Sequence, residues 1–103
     1  MKQLNNKSYP KKKILSLDQL ENKIKDMKIL KKKVVLCHGV FDLLHIGHIK
    51  HFESAKKNGD VLIVTITADE YVEKGPNRPH FNTALRAEAL SSIGIIDYIS
   101  INY

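Results

Sequence analysis

A chain of 103 residues, 43% of them hydrophobic, can bury one core of modest size, which leaves room for a single domain. The formal charge is +6, but residues 1 to 33 hold eleven lysines against Asp18, Glu21 and Asp26, a net of +8. Residues 34 to 103 hold six basic and eight acidic side chains, a net of −2. The basicity therefore sits at the start of the chain, which argues against nucleic acid as a partner of the body.

Cys37, the single cysteine, has no intrachain disulfide partner and lies in the apolar run "VVLC", where a thiol behaves as a small hydrophobe. No run approaches the roughly 20 apolar residues of a membrane helix, and the Asn- and Lys-rich start lacks the apolar core of a signal peptide. A cytoplasmic protein with no membrane partner is expected.

Residues 1–13 are polar, cationic and without apolar periodicity, and read as a flexible lead-in. In 14–32, Ser16 and Gln19 have capping-box spacing, and Leu17, Leu20, Ile24 and Met27 recur at helical spacing, which predicts a helix followed by a linker. The main domain is expected over 33–103. It begins with "KVVLCHG" at 33–39, a β-branched run suited to a strand buried on both faces.

A helix follows over 47–58 through Ile49, Phe52 and Ala55, with Gly59 expected as its left-handed cap. "VLIVTIT" at 61–67 repeats the buried-strand pattern, and "KGPNRP" at 74–79 reads as a loop. Asn82 can cap a helix ending before Gly94, and "DYISI" supplies a third strand. Strands alternating with helices of this length are βαβ units with right-handed crossovers. The expected fold is α/β, a Rossmann-like doubly wound parallel sheet that stops after its third strand.

Open α/β sheets bind ligands beyond the carboxyl ends of their strands, which is where "GVFDLLHIGH" at 39–48 falls. Gly39 permits close backbone approach, and the helix that follows presents free amides and a positive dipole end. His45 and His48, three residues apart, share one face of the first turn, and Gly47 between them leaves space for a bulky anion. His51 continues the spacing, yet falls about 240° around the helix from His45, so no three-histidine metal site is expected. His38, His51 and His80 read as structural, Lys50 and Lys57 as solvated surface cations. Asp42 is a candidate to orient the histidines or substrate.

The run "GVFDLLHIGHIKHFESAKKNGDVLIVTI" carries the pattern G-x-F-D-x-x-H-x-G-H and resembles the cytidylyltransferase-like nucleotidyltransferase superfamily. Its continuation through "ADEYVEKGPNRPHFNTALRAEALSSIGIIDYISIN" is similar to the branch of heptose 1-phosphate adenylyltransferases and glycerol-3-phosphate cytidylyltransferases, over about residues 34–102. Class I aminoacyl-tRNA synthetases share the tetrapeptide HIGH, but this chain is far too short for one.

The resemblance implies the HxGH nucleotidyltransferase fold and transfer of AMP or CMP from ATP or CTP to a sugar-phosphate or polyol-phosphate, with release of pyrophosphate. It implies that His45 and His48 contact the nucleotide phosphates, and that Asp42 with the backbone of Val40 and Phe41 shapes the pocket. Arg86 is implied to face the same phosphates, and Lys74 and Arg78 to form a phosphate-binding loop. A Mg²⁺ held mainly by the triphosphate and water is expected, with no separate protein metal site.

The sequence stops at Tyr103, where the family domain continues, so a homodimer or a completing C-terminal segment is expected, and the branch includes fusions to a sugar kinase. Two other classes make different predictions: a nucleotide-binding module without catalysis, and a basic nucleic-acid binder that would depend on residues 1–13.

Overall fold

The computed structural model describes residues 10–72 and 81–102. Among them run strand β1 (Ile14–Leu15), helix α1 (Leu17–Ile29), strand β2 (Val34–Gly39), helix α2 (Ile46–Lys56), strand β3 (Val61–Thr67), helix α3 (Thr83–Ser91) and strand β4 (Tyr98–Asn102). Short 3-10 turns at Pro10–Lys13 and Asp69–Tyr71 complete the set.

All strand pairings are parallel, in the order β1-β4-β3-β2. β3 is the spine of the sheet: Cys37 lies beside Val64 on one side, and Val64 beside Ile99 on the other. Its first four residues are buried, as its unbroken apolar run requires. Helices cover both faces. Phe52 and Ala55 of α2 and Ala87 and Leu90 of α3 pack with Leu62, Val64, Ile66 and Ile99 on one side. Leu20, Ile24 and Met27 of α1 pack with Val61, Ile63 and Tyr98 on the other. This is the expected doubly wound α/β arrangement with one strand more.

That extra strand is β1. Leu15 registers with Ser100, whose buried hydroxyl donates to the Leu15 carbonyl at 2.9 Å. Residues 10–13, expected as part of a flexible lead-in, form a 3-10 turn from which Lys13 Nζ donates to the Ile93 carbonyl at 2.9 Å. Hence the ordered body starts before residue 14, and 14–15 belong to the sheet rather than to a helix and linker. Residues 1–9, the expected loop at 74–79 and His80 lie outside the described residues.

The capping box of α1 forms as its spacing dictates: Gln19 N donates to Ser16 Oγ at 3.1 Å, and Ser16 N to Gln19 Oε1 at 2.9 Å. The left-handed cap appears elsewhere than expected. Gly59 does not adopt a positive φ; a Cβ there would lie 2.7 Å from Val35 Cγ2 and 2.9 Å from the Lys33 carbonyl, so this glycine serves close approach to β2. Lys31, at φ 60°, is the left-handed residue, and it ends α1 with Lys32 N on Met27 O and Lys31 N on Lys28 O.

Candidate active site

Beyond Gly39 the chain turns through Phe41, held at φ 51°, a region an aromatic side chain rarely enters. The turn folds the Phe41 ring back over β2, where it meets Phe52 at 5.2 Å and His48 at 5.4 Å between centroids. Gly39 is required by this fold-back, because a Cβ would stand 2.8 Å from Phe41 Cζ. The close approach expected at Gly39 is therefore to an aromatic ring of the chain itself.

His45 is the N-cap of α2, in extended backbone. Its Nδ1 accepts the Gly47 amide at 3.0 Å, while His48 Nδ1 accepts the His45 amide at 3.3 Å. The rings lie 4.1 Å apart at 33°. With Nδ1 an acceptor in each, a neutral imidazole carries its proton on Nε2, so the first turn of α2 offers two ring donors, while the Gly47 and His48 amides, expected to be free, are spent on His45 Nδ1 and the His45 carbonyl. Burial, then the neighbouring His45 and His51, holds the His48 imidazole below its ordinary value, favouring the neutral donor. Gly47 makes room for His45 itself: a Cβ would fall 2.7 Å from His45 Cε1.

Arg86 departs from the expectation that it faces nucleotide phosphates. It is 1% exposed, and every nitrogen of its guanidinium is committed. Nε donates to Phe81 O at 3.0 Å, Nη1 to Val40 O at 3.0 Å and Thr67 O at 2.7 Å, and Nη2 to Asp69 Oδ1 at 2.6 Å and Thr83 Oγ1 at 3.3 Å. A planar fork of donors, always charged, is the side chain suited to binding several carbonyls at once. Arg86 thus ties the loop after β2, the end of β3 and the start of α3 into one unit. The Val40 carbonyl, expected to shape the pocket, is committed to this knot.

Asp69 completes it. Partial burial pushes its carboxyl up, but the Thr83 amide and the Arg86 guanidinium, with the Thr83 hydroxyl, outweigh that and hold it below the usual carboxylate range. The contact with Thr83 is reciprocal: Thr83 N donates to Asp69 Oδ2 at 3.0 Å, and Asp69 N to Thr83 Oγ1 at 2.9 Å. Asp42, also buried, accepts the Phe81 amide at 2.9 Å, so the segment leading into α3 is tied to the signature loop as well. An apolar cavity of about 360 Å³ opens between them, lined by Phe41, Leu44, Phe81, Leu85 and Ala89 with Asp42 and Arg86.

The structure thus brings together Gly39, Val40, Phe41, Asp42, His45, Gly47 and His48 at the carboxyl edge of the sheet, with Arg86 buried beneath. Lys74 and Arg78 lie outside the described residues. His51 Nε2 stands 3.7 Å from Cys37 Sγ, apart from the His45 and His48 pair. Among the described residues, no three His, Cys, Asp or Glu side chains are placed to hold a metal ion, and no helix is long and apolar enough to cross a membrane.

Sequence reasoning missed the Asp69 and Thr83 clasp, since a pairing across fourteen residues leaves no periodic trace. It also passed over His38, whose ring engages Thr65 Oγ1 at 2.7 Å and Thr67 Oγ1 at 3.4 Å. The available signal was alternation: Cys37 faces the core, so His38 must face away.

A family model described as Cytidylyltransferase-like matches residues 36–101. The Bifunctional protein HldE of Geobacter metallireducens is 43% identical over 91 residues, 86% of this chain and 19% of that protein. The Aliarcobacter butzleri protein of the same name is 40% identical over 90 residues, 85% of this chain and 19% of that protein. Among solved structures, the lipopolysaccharide core biosynthesis protein of Thermoplasma volcanium superposes with a TM-score of 0.65 at 30% identity, covering 70% of this chain and 59% of that one. The chain spans about a fifth of the length of the curated relatives it matches.

Proposed function

The chain belongs to the cytidylyltransferase-like family, and we propose that it transfers AMP or CMP from an NTP to a sugar-phosphate or polyol-phosphate, releasing pyrophosphate. One observation carries this reading. His45 and His48 both spend Nδ1 on backbone amides at the N-terminus of α2, which leaves two Nε2 donors there for anionic oxygen.

In this reading the triphosphate lies over the first turn of α2. An oxygen of the acceptor's phosphate forms a new bond to the α-phosphorus as the bridging α–β bond breaks, and the electron pair leaves with pyrophosphate. The attacking oxygen is already anionic, so no proton has to be removed and no covalent enzyme intermediate forms. What remains for the protein is positioning and charge stabilisation. His45 and His48 donate to the phosphate oxygens on which charge develops. Asp42 and the loop through Val40 and Phe41 form the wall beside them. Arg86 is a positioning residue, holding that loop against β3 and α3. Lys74 and Arg78 add cations from the segment between the Asp69 and Phe81 anchors.

Mg²⁺ carried with the nucleotide would neutralise part of the charge on its phosphates.

The test is pyrophosphate release from the protein with ATP or CTP, Mg²⁺ and a panel of sugar and polyol phosphates, comparing the parent with His48→Ala. A loss of about 10²-fold or more is expected from removing one preorganised donor; undiminished turnover would end the role of His48. The commitment of every Arg86 nitrogen favours a second reading, a module that binds nucleotide without transferring it. Nucleotide binding by calorimetry with no pyrophosphate from any acceptor would select that reading.

A further inference from the structure

Lysines gather at the edge of the sheet opposite the signature loop. In a parallel sheet each crossover helix returns the chain to the amino ends of the strands, so α1 and α2 both end there. Lys13, Lys33, Asp60 and Asp97 stand just before β1, β2, β3 and β4. Contacts tie this edge together: Lys33 N donates to Asp60 Oδ2 at 2.8 Å, and Lys56, at the end of α2, pairs with Asp97 at 2.5 Å. The turn from α1 into β2 is its most basic part. Residues 28–33 are all exposed, and residues 25–33 hold five lysines against Asp26, a net of +4.

This turn also carries two aliphatic side chains that the core does not use. α1 packs through Leu20, Ile24 and Met27. Ile29 and Leu30 follow at 77% and 63% exposure, and Ile29 is the most exposed large apolar side chain among the described residues. Lys31, at φ 60°, then bends the chain sharply toward β2. Lys28 complements the negative end of the α1 dipole, a role that leaves the aliphatic pair and the three following lysines unexplained. Scattered apolar residues on a surface need no partner, but an adjacent pair ringed by ammonium groups suits shallow insertion among anionic headgroups. The lysines meet the headgroup charge, and the aliphatic carbons pass beneath it. Nucleic acid would satisfy the lysines and offer nothing to Ile29 and Leu30.

We infer that the α1–β2 turn docks this protein on an anionic lipid surface, with Ile29 and Leu30 entering the headgroup layer and Lys28, Lys31, Lys32 and Lys33 facing the lipid phosphates. The attachment is peripheral, since no helix among the described residues is long and apolar enough to cross a membrane. It is independent of the nucleotide reading. β2 runs six residues from this edge to the signature loop, about 20 Å, so the docked protein keeps His45 and His48 open to solvent.

The full chain is sedimented with vesicles of phosphatidylcholine alone, or mixed with phosphatidylglycerol, at about 0.1 M salt. Binding to the mixed vesicles and not to the neutral ones is expected. Lys31→Gln should weaken it about fivefold, the scale of one lysine beside an anionic membrane, whereas Lys50→Gln, in the second turn of α2, should change it less than about twofold. Ile29→Ser with Leu30→Ser leaves the net charge unchanged and should weaken binding about tenfold, with a melting temperature close to the parent's. Ile29→Ser alone should give about threefold, and serves where the double variant loses stability. Equal binding to neutral vesicles, or none to the mixed ones, overturns the inference. Serine variants that bind as the parent does overturn it too, because charge alone would then account for the attachment. A DNA duplex that binds more tightly than the mixed vesicles, and equally to the parent and the serine variants, assigns the lysines to nucleic acid and overturns it as well.

Discussion

Arg86 and Val40 stand 46 positions apart in the chain, and the guanidinium of the first donates to the carbonyl of the second at 3.0 Å in the buried layer under the signature loop. The loop that holds the two histidines is thus braced by α3. Arg86→Met removes the charge and leaves the carbonyls of Val40, Thr67 and Phe81 without their donor. A loss of about 3–5 kcal/mol is expected in urea unfolding, and Arg86→Lys should not recover it, because an ammonium cannot reproduce the fork. Unchanged stability with weakened nucleotide binding would return Arg86 to the phosphates.

Asp69→Asn tests the other end of that knot. The Asp69 carboxylate is half exposed, so the loss should be modest, about 1–2 kcal/mol. Because its folded pKa is depressed, its contribution is present above the ordinary aspartate range and is lost as pH falls through the folded value. Urea midpoints of parent and variant should therefore converge at acid pH.

Gly47→Ala puts a methyl group where His45 Cε1 and Nδ1 now lie, at 2.7 and 2.9 Å. The imidazole must swing off its cap, which removes one of the two Nε2 donors from its place. Nucleotide affinity measured by calorimetry should fall about tenfold, as for one lost charge-assisted hydrogen bond, while the fold survives.

His48 should titrate below an ordinary histidine, first through burial and then through His45 and His51. Its unfolded form binds the proton more readily, so its contribution to stability is full above the unfolded pKa and is lost as pH falls through the folded one. NMR titration of the ring should show the low midpoint, and addition of a nucleotide should raise it, since a nearby anion favours the charged form. A midpoint unmoved by nucleotide would separate His48 from the phosphates.

Lys31→Gly offers a control remote from the site. Lys31 ends α1 at φ 60°, where glycine meets no Cβ penalty. A gain of about 0.5–1 kcal/mol is expected, with nucleotide binding unchanged.

What could be read from the residues and what could not divides by range. The continuous apolar runs of β2 and β3, the Ser16 and Gln19 box and the spacing of Ile49, Phe52 and Ala55 are local, and they determined the α/β order and the place of His45 and His48. β1 is two residues long and follows a lysine run, so no period could announce it; its register with Ser100 is set by the tertiary fold. The burial of Arg86 depends on Val40, Thr67 and Asp69 arriving from other elements, so a charged residue in a helix read as a surface cation or a phosphate ligand. Gly59 was misjudged because a glycine after a helix has two uses, and here approach to β2 prevailed over capping.

Calorimetric binding of Mg-ATP and Mg-CTP to the parent, His45→Ala and His48→Ala is the most direct measurement of whether the paired Nε2 donors hold a triphosphate. The expected result is binding of at least one nucleotide by the parent and about tenfold or greater weakening in each variant, with melting temperatures close to the parent's. Equal affinity in all three proteins would contradict it.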